Sequence, residues 1–238
     1  MRTRRRDVIL GMAASAGVHA AAAQTQVDLL LVLAVDASGS VSQDRFELQR
    51  EGYSEAFRTL AVQNAVRGGP VGAIAVMMVQ WTGPALQVRV VDWRRVGDAA
   101  SAEGLADAIA GAPRRLFRGG TSISGVIDYS MAALASAPFA APRRVIDISG
   151  DGANNIGRSV DAARDNAVAN GVSINGLPIL AVEPDLDSHY RDHVIGGSGA
   201  FLIAIDNYFQ FAAAIRRKLV TEISSRIPLP YGPKTMMS

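Results

Sequence analysis

The feature that most constrains the fold is an apolar stretch near the start of the chain, LLLVLAVD at residues 29–36. Uninterrupted apolar residues without polar alternation are typical of a strand that is buried on both faces. We therefore predict a central strand over Val27–Val35. Strands buried in this way belong mostly to parallel sheets covered by helices, so the stretch favours an α/β fold.

Strand and helix patterns alternate along the rest of the chain. The further predicted strands are Gly72–Trp81, Ala85–Trp93, Arg143–Ser149, Val172–Val182 and Ala200–Ile205. The predicted helices are Asp44–Val66, Ser101–Ala110, Ser122–Ser136, Val160–Asn170, Ser188–Ile195 and Asn207–Ile223. A Thr-Gly-Pro turn at 82–84 predicts an antiparallel pair with the third strand at an edge. The pattern predicts a doubly wound, mostly parallel sheet with one antiparallel edge strand and helices on both faces, in one domain over residues 24–226.

The first residues differ from this pattern. Residues 1–23 have a basic start, a short apolar middle and an alanine-rich end, which is the layout of a secretory signal peptide. Arg5 and Arg6 resemble a twin-arginine export signal, and the general export route is the alternative. The apolar part is too short and alanine-rich for a membrane anchor. We expect a periplasmic or secreted protein, with a flexible C-terminal tail at 227–238.

Composition and charge exclude several classes of function. The chain has no cysteine, which excludes disulfides, thiolate metal sites and cysteine nucleophiles. Its formal net charge is +2, but residues 1–23 carry four arginines and one aspartate, so the exported chain has a net charge of −1. The basic character therefore belongs to the export signal and does not indicate nucleic-acid binding.

Oxygen-bearing side chains follow three of the predicted strands or precede the helix next to them. They are Asp36, Ser38, Ser40, Thr121 and Asp151. Taken singly, the hydroxyls could be helix caps and Asp151 a turn residue. Ligands of open α/β sheets bind outside the carboxyl ends of the strands, where these loops meet. Two carboxylates and three hydroxyls suit Mg²⁺ or Mn²⁺ better than Ca²⁺ or a soft metal.

The order of these motifs resembles a known family. Asp-x-Ser-x-Ser at 36–40, Gly-Gly-Thr at 119–121 and Asp-Gly at 151–152 are similar to the metal-ion-dependent adhesion site (MIDAS) of the von Willebrand factor type A (vWA) domain. The resemblance covers Val27 to Ile223. The segments VIDISGDGANN and AFLIAIDNYFQFAAAIRRKL also resemble an uncharacterised bacterial family of exported vWA-like proteins.

This resemblance implies a role for each site residue. Ser38 and Ser40 would ligate the metal directly, Thr121 directly or through water, and Asp36 and Asp151 mostly through water. A carboxylate from a protein or another partner would fill the remaining position. Neutral ligands leave the cation electrophilic, which favours an incoming carboxylate. The resemblance implies a binding protein without catalysis. We further expect a monomer that does not bind nucleic acid and has no membrane span after signal cleavage.

A rim around the metal would contact the partner. The rim candidates share the two loops that hold Thr121 and Asp151, and they are Gly120, Ser122, Asn154 and Asn155. The two asparagines have an equally good explanation as turn residues.

Two alternatives to a metal-dependent binding role remain open. Asp36 is placed like the nucleophile of a phosphoryl-transfer hydrolase, although such enzymes usually have a second carboxylate two residues on, where this chain has Ser38. The other alternative is a structural domain with a vacant metal site. Neither a Gly-x-Ser-x-Gly elbow nor a Gly-x-Gly-x-x-Gly or Walker loop occurs.

Other conspicuous residues have simpler explanations. His189 and His193 are four residues apart, but no third zinc ligand is in view, so we expect a solvated helix face. Trp81 and Trp93 flank the predicted hairpin and are expected to pack in the core. The sequence IRRKL at 215–219 is expected to form the exposed side of the last helix.

Asp147 does not fit its predicted strand. A carboxylate inside a doubly covered strand is costly unless it is paired. Arg143 and Arg144 are near in sequence, but strand geometry does not place them beside it. Either Asp147 supports the metal site from behind, or its strand lies near an edge of the sheet.

Overall fold

The computed structural model describes residues 24–225, so the predicted signal peptide and C-terminal tail lie outside the described residues. The apolar stretch forms the central strand of a five-stranded sheet, and each of its residues is at most 3% exposed. The strands are β1 Thr25–Gln26, β2 Leu29–Asp36, β3 Ile74–Trp81, β4 Gln87–Val96, β5 Phe139–Ala140, β6 Arg143–Gly150 and β7 Ser173–Pro178.

The order of the strands is β4-β3-β2-β6-β7. The β3–β4 pair is antiparallel with β4 at the edge, and the other pairs of this sheet are parallel. The predicted fold class is therefore confirmed. β1 and β5 form a separate two-stranded parallel sheet that the sequence patterns did not predict.

Helices cover both faces of the sheet. They are α1 Gln43–Arg58, α2 Leu60–Arg67, α3 Ala99–Ala110, α4 Ile123–Ala135, α5 Val160–Ala169, α6 Leu186–His189 and α7 Phe211–Ser224, with a π-helical turn at Tyr190–Val194 and a 3₁₀ turn at Tyr208–Gln210. Leu29, Leu31 and Leu33 pack in the core with α1, α3 and α7, whereas the alternate residues of β2 pack in the core with α4 and α5. Within residues 24–225, no helix combines the length and apolar character needed to cross a membrane.

Two predicted elements differ from the structure. The single helix expected over 44–66 is broken at Thr59, whose extended backbone ends α1 and whose hydroxyl accepts the Val62 N–H at the start of α2. The strand predicted at 200–205 makes only isolated bridges to other residues. One reason is that the Asn175 side chain accepts the Phe201 N–H, which a regular ladder would direct to a backbone carbonyl.

Asp147 is paired across the sheet–helix interface. Lys218 of α7 places its Nζ 2.5 Å from Asp147 Oδ1 and 2.6 Å from Glu222 Oε1. All three side chains are buried, and the Asn175 amide also donates to Glu222. β6 lies between β2 and β7, so the edge explanation for Asp147 is wrong. The prediction that IRRKL is exposed holds for Arg216 and Arg217 and is wrong for Ile215, Lys218 and Leu219, which are buried.

The cluster contains two carboxylates and one ammonium group. Burial, followed by repulsion from Glu222, raises the pKa of Asp147 to about 7 despite the contact with Lys218. Because the three groups are out of water, both carboxylates depend on the one ammonium group of Lys218 for compensation. The cluster therefore ties the middle of β6 to the last helix.

We predict that Lys218→Met lowers the free energy of unfolding by about 3–5 kcal/mol, because it leaves two buried carboxylates without a cation. Urea unfolding at neutral pH measures the change. Arg217→Met is the matched control, since Arg217 is the exposed neighbour of Lys218 on the same helix. A loss no greater than that of the control would show that the cluster does not stabilise the fold.

Candidate metal centre

Three loops meet at the carboxyl edge of the sheet. Asp36 is the last residue of β2, Asp151 follows β6, and Thr121 comes just before α4. The Gly39 N–H donates to the Gly119 carbonyl at 3.3 Å, which ties the first loop to the loop of Thr121. The sheet order explains the meeting of the first and third loops, because β2 and β6 are parallel neighbours.

The Asp36 carboxylate is fully buried at the bottom of this site. Its Oδ1 accepts the Ser38 N–H at 2.7 Å, and its Oδ2 accepts the Asp151 N–H at 3.4 Å. Burial, followed by the negative charge of Asp151, raises the pKa of Asp36 to about 7. The site therefore holds more negative charge than its own hydrogen bonds compensate.

The two serines connect the carboxylates to the surface. The Ser40 hydroxyl donates to Asp151 Oδ1 at 2.5 Å, and Ser38 Oγ lies 3.2 Å from Ser40 Oγ. Because the Ser40 proton points to Asp151, Ser40 can accept only from Ser38, and its second lone pair remains available to a cation. Ser38 is buried, whereas Ser40 is exposed, so the site opens to solvent on the side of Ser40.

Thr121 is held against the loop of Asp151. Its N–H donates to the Asn155 side-chain oxygen, and its carbonyl accepts the Asn155 N–H, both at 2.9 Å. The glycine after Asp151 keeps this contact close, because a Cβ added to Gly152 would lie 3.2 Å from Thr121 Oγ1. The small size of Gly152 thus allows the hydroxyl of Thr121 to lie directly against the Asp151 loop.

Of the four rim candidates, Asn154, Asn155 and Gly120 lie where the two loops contact each other, whereas Ser122 is buried. Asn154 and Asn155 link the loops, since Asn154 accepts the Ser124 N–H. Gly120 packs so closely that an added Cβ would lie 2.8 Å from Asn155 Oδ1. Ser122 is fully buried and caps α4 by accepting the Gly125 N–H, so its prediction as a rim residue is wrong.

Sequence reasoning missed three residues that complete the site. Tyr208 donates its hydroxyl to Asp151 Oδ2 at 2.8 Å, and Arg45 Nη1 lies 3.4 Å from the same oxygen. Glu183 accepts the Ala153 N–H at 3.0 Å. Both Tyr208 and Glu183 follow segments that reach the carboxyl edge of the sheet, so the strand-exit rule could have identified them.

The donor set fits a hard divalent cation. The side chains that meet here offer carboxylate and hydroxyl oxygens, which Mg²⁺ and Mn²⁺ prefer. In residues 24–225, no group of three or more His, Cys, Asp or Glu side chains is placed to hold a metal, so soft-metal sites of that kind are not supported. His193 instead contacts Asp161 at 3.0 Å, and His189 accepts the Asn154 N–H.

The phosphoryl-transfer alternative finds little support in this geometry. A nucleophilic carboxylate must reach the phosphorus atom, but Asp36 is fully buried and its Oδ1 accepts the Ser38 N–H.

The two tryptophans were predicted to pack in the core. Trp81 is buried in the core, and Trp93 is partly buried against the same cluster.

Comparison with family models identifies the family of this chain. The family model described as "Protein of unknown function (DUF1194)" matches residues 26–227, which is most of the chain. The chain belongs to the DUF1194 family. A comparison of this DUF1194 chain with curated proteins gives no match.

Solved structures are similar to the DUF1194 chain in fold. Proximal thread matrix protein 1 (PTMP1) of the mussel byssus, with a zinc-occupied MIDAS motif, has a TM-score of 0.59 at 13% identity, covering 84% of this chain and 49% of that one. The von Willebrand factor type A protein of Catenulispora acidiphila has 0.55 at 14%, covering 84% and 44%. The vWF domain of the pilus tip protein Mfa5 of Porphyromonas gingivalis has 0.56 at 11%, covering 86% and 99%. This chain thus spans less than half of the first two, and the likeness confirms the vWA fold.

We predict that Asn155→Ala lowers the free energy of unfolding by about 1 kcal/mol, because the Thr121 N–H loses its acceptor. Urea unfolding measures the loss. Asn166→Ala, at an exposed position of α5, is the control and should leave stability nearly unchanged. Equal effects of both substitutions would show that the Asn155 amide does not clamp the two loops.

Proposed function

We propose that this DUF1194 protein binds a divalent metal ion, Mg²⁺ or Mn²⁺, and uses it to capture a carboxylate group of a protein partner. The observation that carries the proposal is the pair of fully buried carboxylates, Asp36 and Asp151, beside the hydroxyls of Ser38 and Ser40. Thr121 completes the proposed set from the neighbouring loop.

The charge of the site supports a cation. Within the described residues, Arg45 is the one basic side chain within ion-pair distance of either carboxylate, and it contacts only Asp151. Asp36 has no cationic partner there, which is costly for a buried carboxylate. A divalent ion would offset this cost and lower the pKa of Asp36, since a nearby positive charge favours the ionised form.

The proposed roles follow the hydrogen bonds. Asp36 and Asp151 hold the loops and orient the serine hydroxyls, and the serines present neutral oxygens to the metal. Metal held largely by neutral oxygens retains much of its positive charge and attracts an anionic ligand. The zinc-occupied MIDAS of PTMP1 supports divalent metal binding on this fold. The oxygen donors here favour Mg²⁺ or Mn²⁺ over zinc.

We further propose that the protein is an exported monomer without catalytic activity. The basic, apolar and alanine-rich segment at 1–23 supports export to the periplasm or beyond. The burial of Asp36 supports binding over phosphoryl transfer. Hydrolysis of p-nitrophenyl phosphate that disappears in Asp36→Asn would establish the enzymatic alternative instead.

Calorimetric titration with MgCl₂ and with MnCl₂ tests the metal site. We predict saturable binding that Asp36→Ala weakens by roughly 10- to 100-fold, since removing a group that orients metal ligands has effects of this size. Thr121→Val, which removes one hydroxyl and keeps the side-chain shape, provides a second variant that disturbs folding less.

Asp44→Ala is the matched control for this titration. Asp44 is an exposed carboxylate in the first turn of α1, so its loss changes local charge without touching the proposed ligands. Circular dichroism confirms that each variant is folded. Metal binding that is equal in the unsubstituted protein, Thr121→Val and Asp36→Ala would refute the proposed site, as would an absence of binding with and without a carboxylate ligand.

A further inference from the structure

Large apolar side chains are exposed around the candidate metal centre. Five of the eight such residues in the described chain lie at the carboxyl edge of the sheet, four on loops and Phe209 on the 3₁₀ turn, and we call them the apolar collar: Leu86, Phe117, Ile156, Val182 and Phe209. The other three, Leu60, Val71 and Val168, lie elsewhere on the helices and loops. Exposed apolar residues that are grouped in this way mark an interaction site, whereas scattered single ones do not.

Each collar residue lies close, in sequence or in space, to a loop of the metal centre or to the end of a strand beside it. Phe117 precedes the Gly119–Thr121 loop, and Ile156 lies 2.9 Å from a Cβ added to Gly120. Phe209 follows Tyr208, whose hydroxyl bonds Asp151. Val182 lies on the exit loop of β7, the neighbour of β6, and Leu86 lies on the exit loop of β3, the neighbour of β2.

The two phenylalanines expose the most surface beside the site. Phe209 is 86% exposed and Phe117 is 59% exposed, although aromatic rings normally contribute to the core. The Arg114 guanidinium stacks 5.1 Å from the centre of the Phe117 ring and donates to the Val41 carbonyl. Phe117 is therefore held beside the loop of Ser38 and Ser40, in a position that favours binding because little side-chain freedom is lost.

The charges beside Phe117 indicate the sign of the partner. Arg115 and Arg118 are exposed on either side of it, and neither forms an ion pair with any residue of the described chain. A bound divalent ion would offset the charges of Asp36 and Asp151, so the two arginines leave this side of the edge positive. An acidic partner is complementary to this surface, and its apolar side chains would cover the collar.

We infer that the partner is a polypeptide segment that presents Asp or Glu with large apolar side chains next to it. The carboxylate binds the metal, and the apolar neighbours pack on Phe117 and Phe209. This inference rests on the proposed function and adds the chemistry of the partner to it. A peptide fits better than an acidic polysaccharide, because the groups around a sugar carboxylate are hydroxyls that cannot bury the collar.

Selection from a library of random peptides displayed on phage identifies the chemistry that this surface prefers. The full chain is immobilised in buffer with MgCl₂, and bound phage are eluted with a chelator. We expect the enriched peptides to contain Asp or Glu with an aromatic or aliphatic residue within two positions. Enriched acidic peptides without such neighbours would overturn the inference and leave the proposed function intact.

Substitutions in the collar then separate its role from that of the metal. We expect Phe117→Ser and Phe209→Ser each to weaken binding of an enriched synthetic peptide by roughly tenfold, with the affinity for Mg²⁺ unchanged. Leu60→Ser, which removes a 71% exposed side chain away from the site, is the control and should have no effect.

The outcomes distinguish the two proposals. Peptide binding that depends on Mg²⁺ but is unaffected by both phenylalanine substitutions would refute the collar alone. The absence of any enrichment that depends on Mg²⁺ would count against the proposed function, and the inference would fail with it. Tighter binding of an acidic polysaccharide or an anionic vesicle than of the peptides, measured by competition, would likewise overturn the assignment to a polypeptide.

Discussion

The burial of two carboxylates at the ends of two adjacent strands is the constraint on which the rest of this structure depends. Asp36 and Asp151 are both inaccessible to solvent, and the charge of Asp151 adds to the cost of ionising Asp36. Backbone N–H groups, the Ser40 hydroxyl and Tyr208 meet part of this cost. A divalent cation meets the remainder in our account, which is why a binding function follows from an electrostatic requirement.

A second buried charge cluster fixes the middle of β6. Lys218 joins Asp147 to Glu222, so the same strand is held by an ion cluster in its middle and ends at the candidate metal centre. Replacing such clusters by apolar residues often costs nothing in stability. The buried cluster of Asp147 with Lys218 and Glu222 therefore acts chiefly to hold β6 in a defined position relative to α7.

Periodicity in the sequence predicted the sheet and the loops that meet at its carboxyl edge, but it failed for interactions between distant residues. The apolar pattern of β2 and the strand-exit rule were enough to group Asp36 with Thr121 and Asp151. The partner of Asp147 lies 71 residues away, and nothing in the local pattern of IRRKL distinguishes a buried lysine from exposed arginines. The sequence pattern did not predict the break at Thr59, because a threonine that caps a helix cannot be distinguished by periodicity from a threonine inside one.

Anomalous diffraction from crystals grown with MnCl₂ tests the central claim most directly. Our account predicts one strong manganese peak at the carboxyl edge of the sheet, within about 2.0–2.6 Å of the hydroxyl oxygens of Ser38 and Ser40. Loss of that peak in crystals of Asp36→Ala would complete the assignment. A peak at His189 and His193 instead, or an edge occupied only by water at saturating manganese, would contradict it.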